Sequence, residues 1–354
     1  MTHVRLQQRA ARPRGFAITL PLLAVAVTFA LTAGFVLAAG ESPFAAYREL
    51  FVTPLSSRFR VLEVLVSATP ILFTGAAVAV AFRAGYWNIG AEGQLLCGAI
   101  AAAWLGTKVG GWPPVLSLPL LVAVGAVAGA LWALPPALLR TRLGIDEVVT
   151  TLLLNPVALL LVGGLLNGPW RDPVTRFPES PRIAAEAEFP QLVDRSRLHL
   201  GFLLALAVLA LAWFVVERTP TGLRLRACGL SPHAARFAGV RVDRTLLGTA
   251  LVSGAIAGVA GVSEVAGIQY RLTEGLSPGF GYTGIVVATL GGLTMLGVGG
   301  AALLLGLVNV GSGSASRVLD VPSQLGNVIV AALLLVTVTL LVFGRYRIVR
   351  GGSP

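Results

Sequence analysis

The chain has 354 residues, a length that would fill two soluble domains at about 150 residues each, yet 55% of its residues are hydrophobic and only 12% are charged. Soluble domains carry about 25% charged residues, and the mean hydropathy here is +0.82. Soluble, disordered, collagen-like and disulfide-framework classes are excluded. What remains is an all-α polytopic membrane protein whose net charge of +11 belongs to membrane-flanking loops rather than to a nucleic-acid surface.

Apolar blocks near the length needed to cross roughly 30 Å of hydrocarbon recur along the chain. The first, 17–39, follows Arg5, Arg9, Arg12 and Arg14. Its apolar core is too long for a usual signal-peptide core, so it reads as a retained first helix; cleavage near Leu37-Ala38-Ala39 is the alternative. Further blocks lie at 61–82, 94–110, 115–138, 147–167, 201–217, 245–267, 282–296, 299–311 and 326–343. That makes about ten spans. Gly297, Gly299 and Gly300 leave almost no loop between the eighth and ninth blocks, so nine or eleven stay open. With the amino terminus inside, the inner segments hold 16 of the 27 basic residues, as the positive-inside rule asks. The expected layout is one transmembrane domain over 1–354. It has cytoplasmic tails at 1–16 and 344–354, an external loop at 168–200 and a cytoplasmic loop at 218–244.

Five spans separate the second block from the seventh, so the two run in opposite directions and an inverted repeat of spans 1–5 and 6–10 is allowed. Each is followed by a glycine-rich, aromatic and polar segment: RAGYWNIGAEGQ (83–94) and GIQYRLTEGLSPGFGYTGI (267–285). Paired broken helices of this kind point to a transport site, because freed backbone groups at membrane depth must line a cavity or be buried in protein. Glu92 stands four residues after Asn88, on one helix face. A carboxylate at the bilayer centre costs about 2.5–3.5 kcal/mol, which marks a pathway residue; the alternative is a charge favoured by a helix N-terminus at the interface. Gln94 joins the same segment. Asn155, in TTLLLNPVALLL, either lines the pathway or hydrogen-bonds between helices, and Glu264 invites the same two readings. Trp87, Phe280 and Tyr282 can stack on a flat ligand or sit in an aromatic belt.

Lys108 is the only lysine, and its setting, LGTKVG, does not match a phosphate-binding G-x-x-x-x-G-K-[ST] loop. If ATP drives this protein, another polypeptide binds it. Cys97 and Cys228 form no metal-spaced cluster, and His3, His199 and His233 fall outside the apolar blocks. No catalytic residue, metal or cofactor is therefore expected in this chain. In the loop 218–244, Ser231 suits a helix N-cap, Pro232 the first helical position and Gly239 the stop. A short helix between arginine-rich flanks makes a lever for a soluble partner.

At these residues the chain resembles the permease subunits of bacterial ATP-binding cassette (ABC) importers, in the branch that carries ribose, simple sugars and nucleosides. YWNIGAEGQ (86–94) takes the form typical of nucleoside importers, and GIDEVVTTLLLN (144–155), GLRLRACGLSPHAARFAGV (222–240) and GFGYTGIVVATLGG (279–292) match the same branch. Pro156 and Gly292 depart from the family pattern. The resemblance implies import of nucleosides, with purine nucleosides favoured, across the bacterial inner membrane. It implies a second related permease, a cytoplasmic ATPase with two cassettes that binds ATP and Mg, and an extracytoplasmic substrate-binding lipoprotein. The ATPase would grip the loop through Gly222, Arg224, Arg226, Gly229, Ser231, Pro232, Ala235, Arg236, Phe237 and Gly239. The alternatives are a ribose or simple-sugar permease of the same branch and an ion-coupled secondary transporter using Glu92 or Glu264.

Overall fold

The computed structural model describes residues 4–8, 16–38, 40–319, 324, 328–329, 331–332, 335–336, 339–340 and 346–350. In chain order the elements are β1 (Val4–Gln8), α1 (Phe16–Ala38), α2 (Pro43–Phe51), α3 (Arg58–Arg83), α4 (Ala91–Gly106), α5 (Pro114–Leu143), α6 (Glu147–Asn167) and α7 (Leu200–Arg218). Then come α8 (Pro220–Leu230), α9 (Pro232–Phe237), α10 (Val242–Glu264), α11 (Phe280–Leu290), α12 (Met295–Leu319) and β2 (Tyr346–Arg350). The fold is helical, as the composition requires. Six helices among the described residues are long and apolar enough to cross a membrane: α3, α5, α6, α7, α12, and α10 with the π-helical turn that extends it to Gln269. The bent pair Leu22–Ala38 and Pro43–Leu55 makes a seventh if counted as one span.

Local chemistry sets the helix ends. Asp146 Oδ1 accepts from Val148 N (2.8 Å) to open α6. Gly144, at φ +69°, closes α5 in the left-handed stop that glycine favours. Two expectations shift. The break expected at Gly297–Gly300 falls instead at Gly291–Thr294, where Gly292 (φ +61°) and Leu293 (φ +59°) are both left-handed. Gly297 lies inside α12, where a side chain would overlap the Gly291 backbone. The segments expected as cytoplasmic tails carry β1 and β2, a detail the sequence reading did not address, paired antiparallel from Val4↔Arg350 to Gln8↔Tyr346. The block at 326–343 lies largely outside the described residues.

The chain divides into two compact units, Leu55–Leu307 and Met1–Pro54 with Val308–Pro354. The smaller unit packs Val36, Ala46, Leu50, Val308, Ala315 and Ile329 together, with Phe29 and Tyr47 against them. The larger unit centres on α3 and α10, while α5, α6 and α7 turn leucine and valine faces outward. Its core is built on small residues. A side chain at Gly129 would overlap the carbonyl oxygen of Gly254, one at Gly258 that of Gly125, and one at Gly98 that of Gly258. The pairs Gly125/Gly129 and Gly254/Gly258 are small-xxx-small motifs, which let membrane helices meet backbone to backbone. The short helix α4 packs on α10, and the short helix α11 packs on α3.

Candidate functional site

The segment 84–90 is built by its own polar side chains. Gly85 takes φ +77° and lets the chain turn back after α3. Asn88 and Gln94 then exchange hydrogen bonds, Asn88 Nδ2 to Gln94 Oε1 (2.9 Å) and Gln94 Nε2 to Asn88 Oδ1 (3.0 Å). Asn88 also accepts from Gly90 N (2.9 Å) and donates to Ser253 Oγ (2.8 Å), and Ser253 donates to Ala77 O (2.7 Å). Both amides are fully buried. They staple the segment to α10 and α3, and the hydrogen-bonding capacity of Asn88 is spent inside the protein.

One layer outward, the first turns of α4 and α11 meet. Gly281 N donates to Glu92 Oε2 (2.6 Å), and a side chain at Gly281 would overlap the backbone of Ala91 and Glu92. Glu92 is buried in the first turn of α4, so its carboxylate faces the positive ends of two helices at once. Asn155 of α6 joins them. Its Oδ1 accepts from Gly93 N (2.9 Å), and its Nδ2 donates to Ile89 O (2.9 Å) and to Tyr282 Oη (3.1 Å). Phe280 is held by Thr74 Oγ1, which donates to its carbonyl (2.9 Å), while Ser277 Oγ accepts from Phe280 N (3.1 Å). Glu92, Asn155, Phe280 and Tyr282 therefore form one cluster, with the Asn88–Gln94 pair behind it.

Two expected residues stand apart. Trp87 is half exposed, its ring 4.5 Å from Phe82, and its backbone N donates to Glu147 Oε1 (3.2 Å). Glu264 is buried at the end of α10, beside the His199–Ser263 neighbourhood. Glu147 escaped the sequence reading although it lies inside the matched motif. It is buried, pairs with Arg140 Nε (3.0 Å) and fixes Trp87. Its signal was an acid at the first position of an apolar block. Ser253 and Gly281 gave no such signal, since small residues fill α10 and the 279–284 stretch throughout.

The arginine-rich loop is two helices rather than one. Ser231 Oγ accepts from Ala234 N (3.2 Å) and starts α9, and Gly239 follows it at φ +82°. The sequence reading missed α8, which opens on the same signature: Thr219 Oγ1 accepts from Gly222 N (3.3 Å), with Pro220 in the first position. Gly222, Leu225, Cys228 and Ala235 are buried, whereas Leu230 and Phe237 project, the latter 97% exposed. Arg236 pairs with Asp243 (3.0 Å). Gly229 presses its backbone on Arg83 and Gly85. Beside that contact Glu217 binds both Arg83 and Arg226.

Comparison with known proteins follows this geometry. The family described as "Branched-chain amino acid transport system / permease component" matches residues 60–338. The guanosine ABC transporter permease protein NupP of Bacillus subtilis is 36% identical over 90% of this chain and 92% of its own length. The nucleoside ABC transporter permease protein NupB of Lactococcus lactis is 32% identical over 90% and 89%. The glucose ABC transporter permease protein TsgB13 of Haloferax volcanii is 36% identical over 98% and 93%. The first two organisms each hold a second similar permease, NupQ and NupC, at 29% and 26% identity. No solved structure matches. A multi-pass helical membrane protein with this family match over most of its length belongs to the branched-chain amino acid transport system / permease component family.

Proposed function

We propose that this chain is the membrane-spanning subunit of an ATP-driven importer of nucleosides, with purine nucleosides favoured. The observation that carries the reading is the state of the two meeting helix N-termini. Such ends normally form anion sites. Here Gly281 N is taken by Glu92, Gly93 N by Asn155, Ile89 N by Thr151 Oγ1 (3.2 Å) and Phe280 N by Ser277. With these four donors taken and a carboxylate in place, the cluster favours an uncharged cargo. The half-exposed ring of Tyr282, inside the cluster, offers a flat apolar wall for a base. NupP and NupB, named for guanosine and nucleosides, agree. Glucose is also uncharged, and TsgB13 keeps a sugar importer as the second reading.

The rest of the assembly is proposed with it. The second permease follows from the paired relatives, and the ATPase, with ATP and Mg, from the ABC description those names share. Exposed Phe237 and Leu230 at α8–α9 suit its docking surface, and on this reading that loop and both termini are taken to be cytoplasmic in a bacterial inner membrane. A substrate-binding lipoprotein would then meet the 168–200 loop. Ten spans in an inverted repeat are proposed because the packing crosses over: α4 on α10, α11 on α3, α5 on α10 through Gly129, and α12 on α3 through Gly306.

The test is ATP-dependent uptake of labelled guanosine into proteoliposomes that hold the permeases, the ATPase and the binding protein. Competition by adenosine, but not by ribose, glucose or guanosine monophosphate, is the expected result. Competition by glucose alone would move the chain to the sugar reading, and competition by the monophosphate would remove the argument from spent donors. Glu92→Gln should lower uptake several-fold at unchanged membrane level.

A further inference from the structure

An open groove of about 490 Å³ runs between α3, α7, α8 and α10. Val208, Leu211 and Val215 form one wall, and Val252 and Ile256 the other. The groove is apolar along its length and changes character at one end. There it shares Arg224, Arg244 and Thr245 with a polar cradle of about 400 Å³ that also includes Arg241. Among the described residues, none of these three arginines has a carboxylate within ion-pair distance. The neighbouring acids are committed elsewhere, Asp243 to Arg236 and Glu217 to Arg83 and Arg226. The cradle sits where α7 has ended at Arg218 and α10 begins at Val242, the level at which an apolar span gives way to headgroups.

An apolar slot at membrane depth that ends in uncompensated guanidinium groups is complementary to one kind of molecule. We infer that the groove binds an anionic phospholipid, its phosphodiester held by Arg224, Arg241 and Arg244 and one acyl chain lying between α7 and α10. A soluble anion would use the cradle and leave the groove empty. An uncharged lipid would use the groove and leave three cations unmatched, and an acidic protein surface would ignore the groove. Basic pockets between helices at a membrane face are suited to anionic headgroups. Because Arg224 lies on α8 and Arg241 and Arg244 frame the start of α10, the bound lipid would tie the arginine-rich loop to the central helix.

The experiment is native mass spectrometry of the purified full-length chain with phosphatidylglycerol, phosphatidylcholine or glycerophosphoglycerol added at equal concentration. The expected result is one retained phosphatidylglycerol, preferred over phosphatidylcholine. The double substitution Arg241→Gln/Arg244→Gln should weaken it on the order of 30-fold, at about 1 kcal/mol per basic residue. Gly248→Leu provides a second variant that does not disturb the fold. Gly248 lines the groove, and a side chain there meets no atom within 4 Å, so leucine fills the slot. It should reduce phosphatidylglycerol binding while leaving the arginines intact. Equal retention of the two lipids, equal competition by the chain-free glycerophosphoglycerol, or full binding in Gly248→Leu would each overturn the inference.

Discussion

The two broken segments are anchored to different loops. The segment before α4 is wired to the arginine-rich loop, through the backbone contact of Gly85 with Gly229 and the Arg83–Glu217–Arg226 ion pairs. The segment before α11 is wired to the 168–200 loop. Ile183 N donates to Tyr270 O (2.9 Å), Ser180 N to Leu272 O (3.0 Å) and Phe189 N to Ala266 O (2.8 Å), and Arg271 pairs with Glu179. The helices that follow meet at Glu92 and Gly281. Contacts from either loop therefore run to the same pair of helix N-termini, the connection that the proposed importer, driven from one side and supplied from the other, would require.

The most damaging change should be made where the two arms meet. Gly281→Val places branched carbon against the backbone of Ala91 and Glu92, and neither helix can retreat without leaving α3 or α10. Overpacking costs about 1–3 kcal/mol in ordinary cores, and a clash with backbone belongs at or above the top of that range. The expected outcome is loss of most folded protein from detergent extracts, or a large fall in Tm. Gly275→Ala, in the same segment with open space around it, should leave Tm unchanged. A Gly281→Val protein as stable as Gly275→Ala would show that the N-termini do not meet.

Acid should separate the two arms. His199 is buried, its Nδ1 accepts from Gly201 N (3.1 Å), and its ring fills the space left by Gly267 beneath the second segment. Burial pushes its pKa down from 6.5 to about 4. Below pH 6.5 the unfolded chain binds a proton that the folded chain refuses, so stability is complete above that pH and falls as pH drops toward 4, by about 3 kcal/mol in all. Amide protection factors, corrected for the slower intrinsic exchange in acid, should fall at Ala266–Tyr270 on acidification while those of the Gly85–Gly90 amides hold. His199→Asn, which keeps an N-cap acceptor, should flatten the dependence. Equal loosening of both segments would mean they are not separately anchored.

Much of this was legible in the sequence, for identifiable reasons. Block length and charge placement gave the membrane class, because bilayer thickness and the cost of buried charge act on every residue of a span. The short helix after Ser231 could be read because an N-cap, a proline and a glycine stop are local signals. The same signature at Thr219-Pro220 was passed over, hidden by the arginines around it. The boundary at Gly291–Thr294 was missed because glycine marks both a turn and a close helix contact, and only packing decides between them. The site was harder still. Asn88 and Gln94 looked like pathway residues, yet they are buried and hydrogen-bond to each other. A polar side chain in an apolar chain announces only that it has partners, whether those are cargo or its own fold.

Asn155 allows that last distinction to be tested, with the smallest effect of the three. Its Oδ1 is the acceptor for Gly93 N in the first turn of α4, whereas its Nδ2 reaches Tyr282 in the first turn of α11. Asn155→Ala strands a buried backbone donor and should cost about 1–3 kcal/mol. Tyr282→Phe removes a hydroxyl from a half-exposed ring and should cost about 0.5–1.5 kcal/mol. If the asparagine serves both arms, the double variant is less destabilised than the two single changes added, because Tyr282 has already lost its partner once Asn155 is gone. Strict additivity in thermal unfolding would mean that Asn155 holds the first segment alone. Tyr282 would then be left to the pathway, where Tyr282→Phe would lower uptake without lowering Tm.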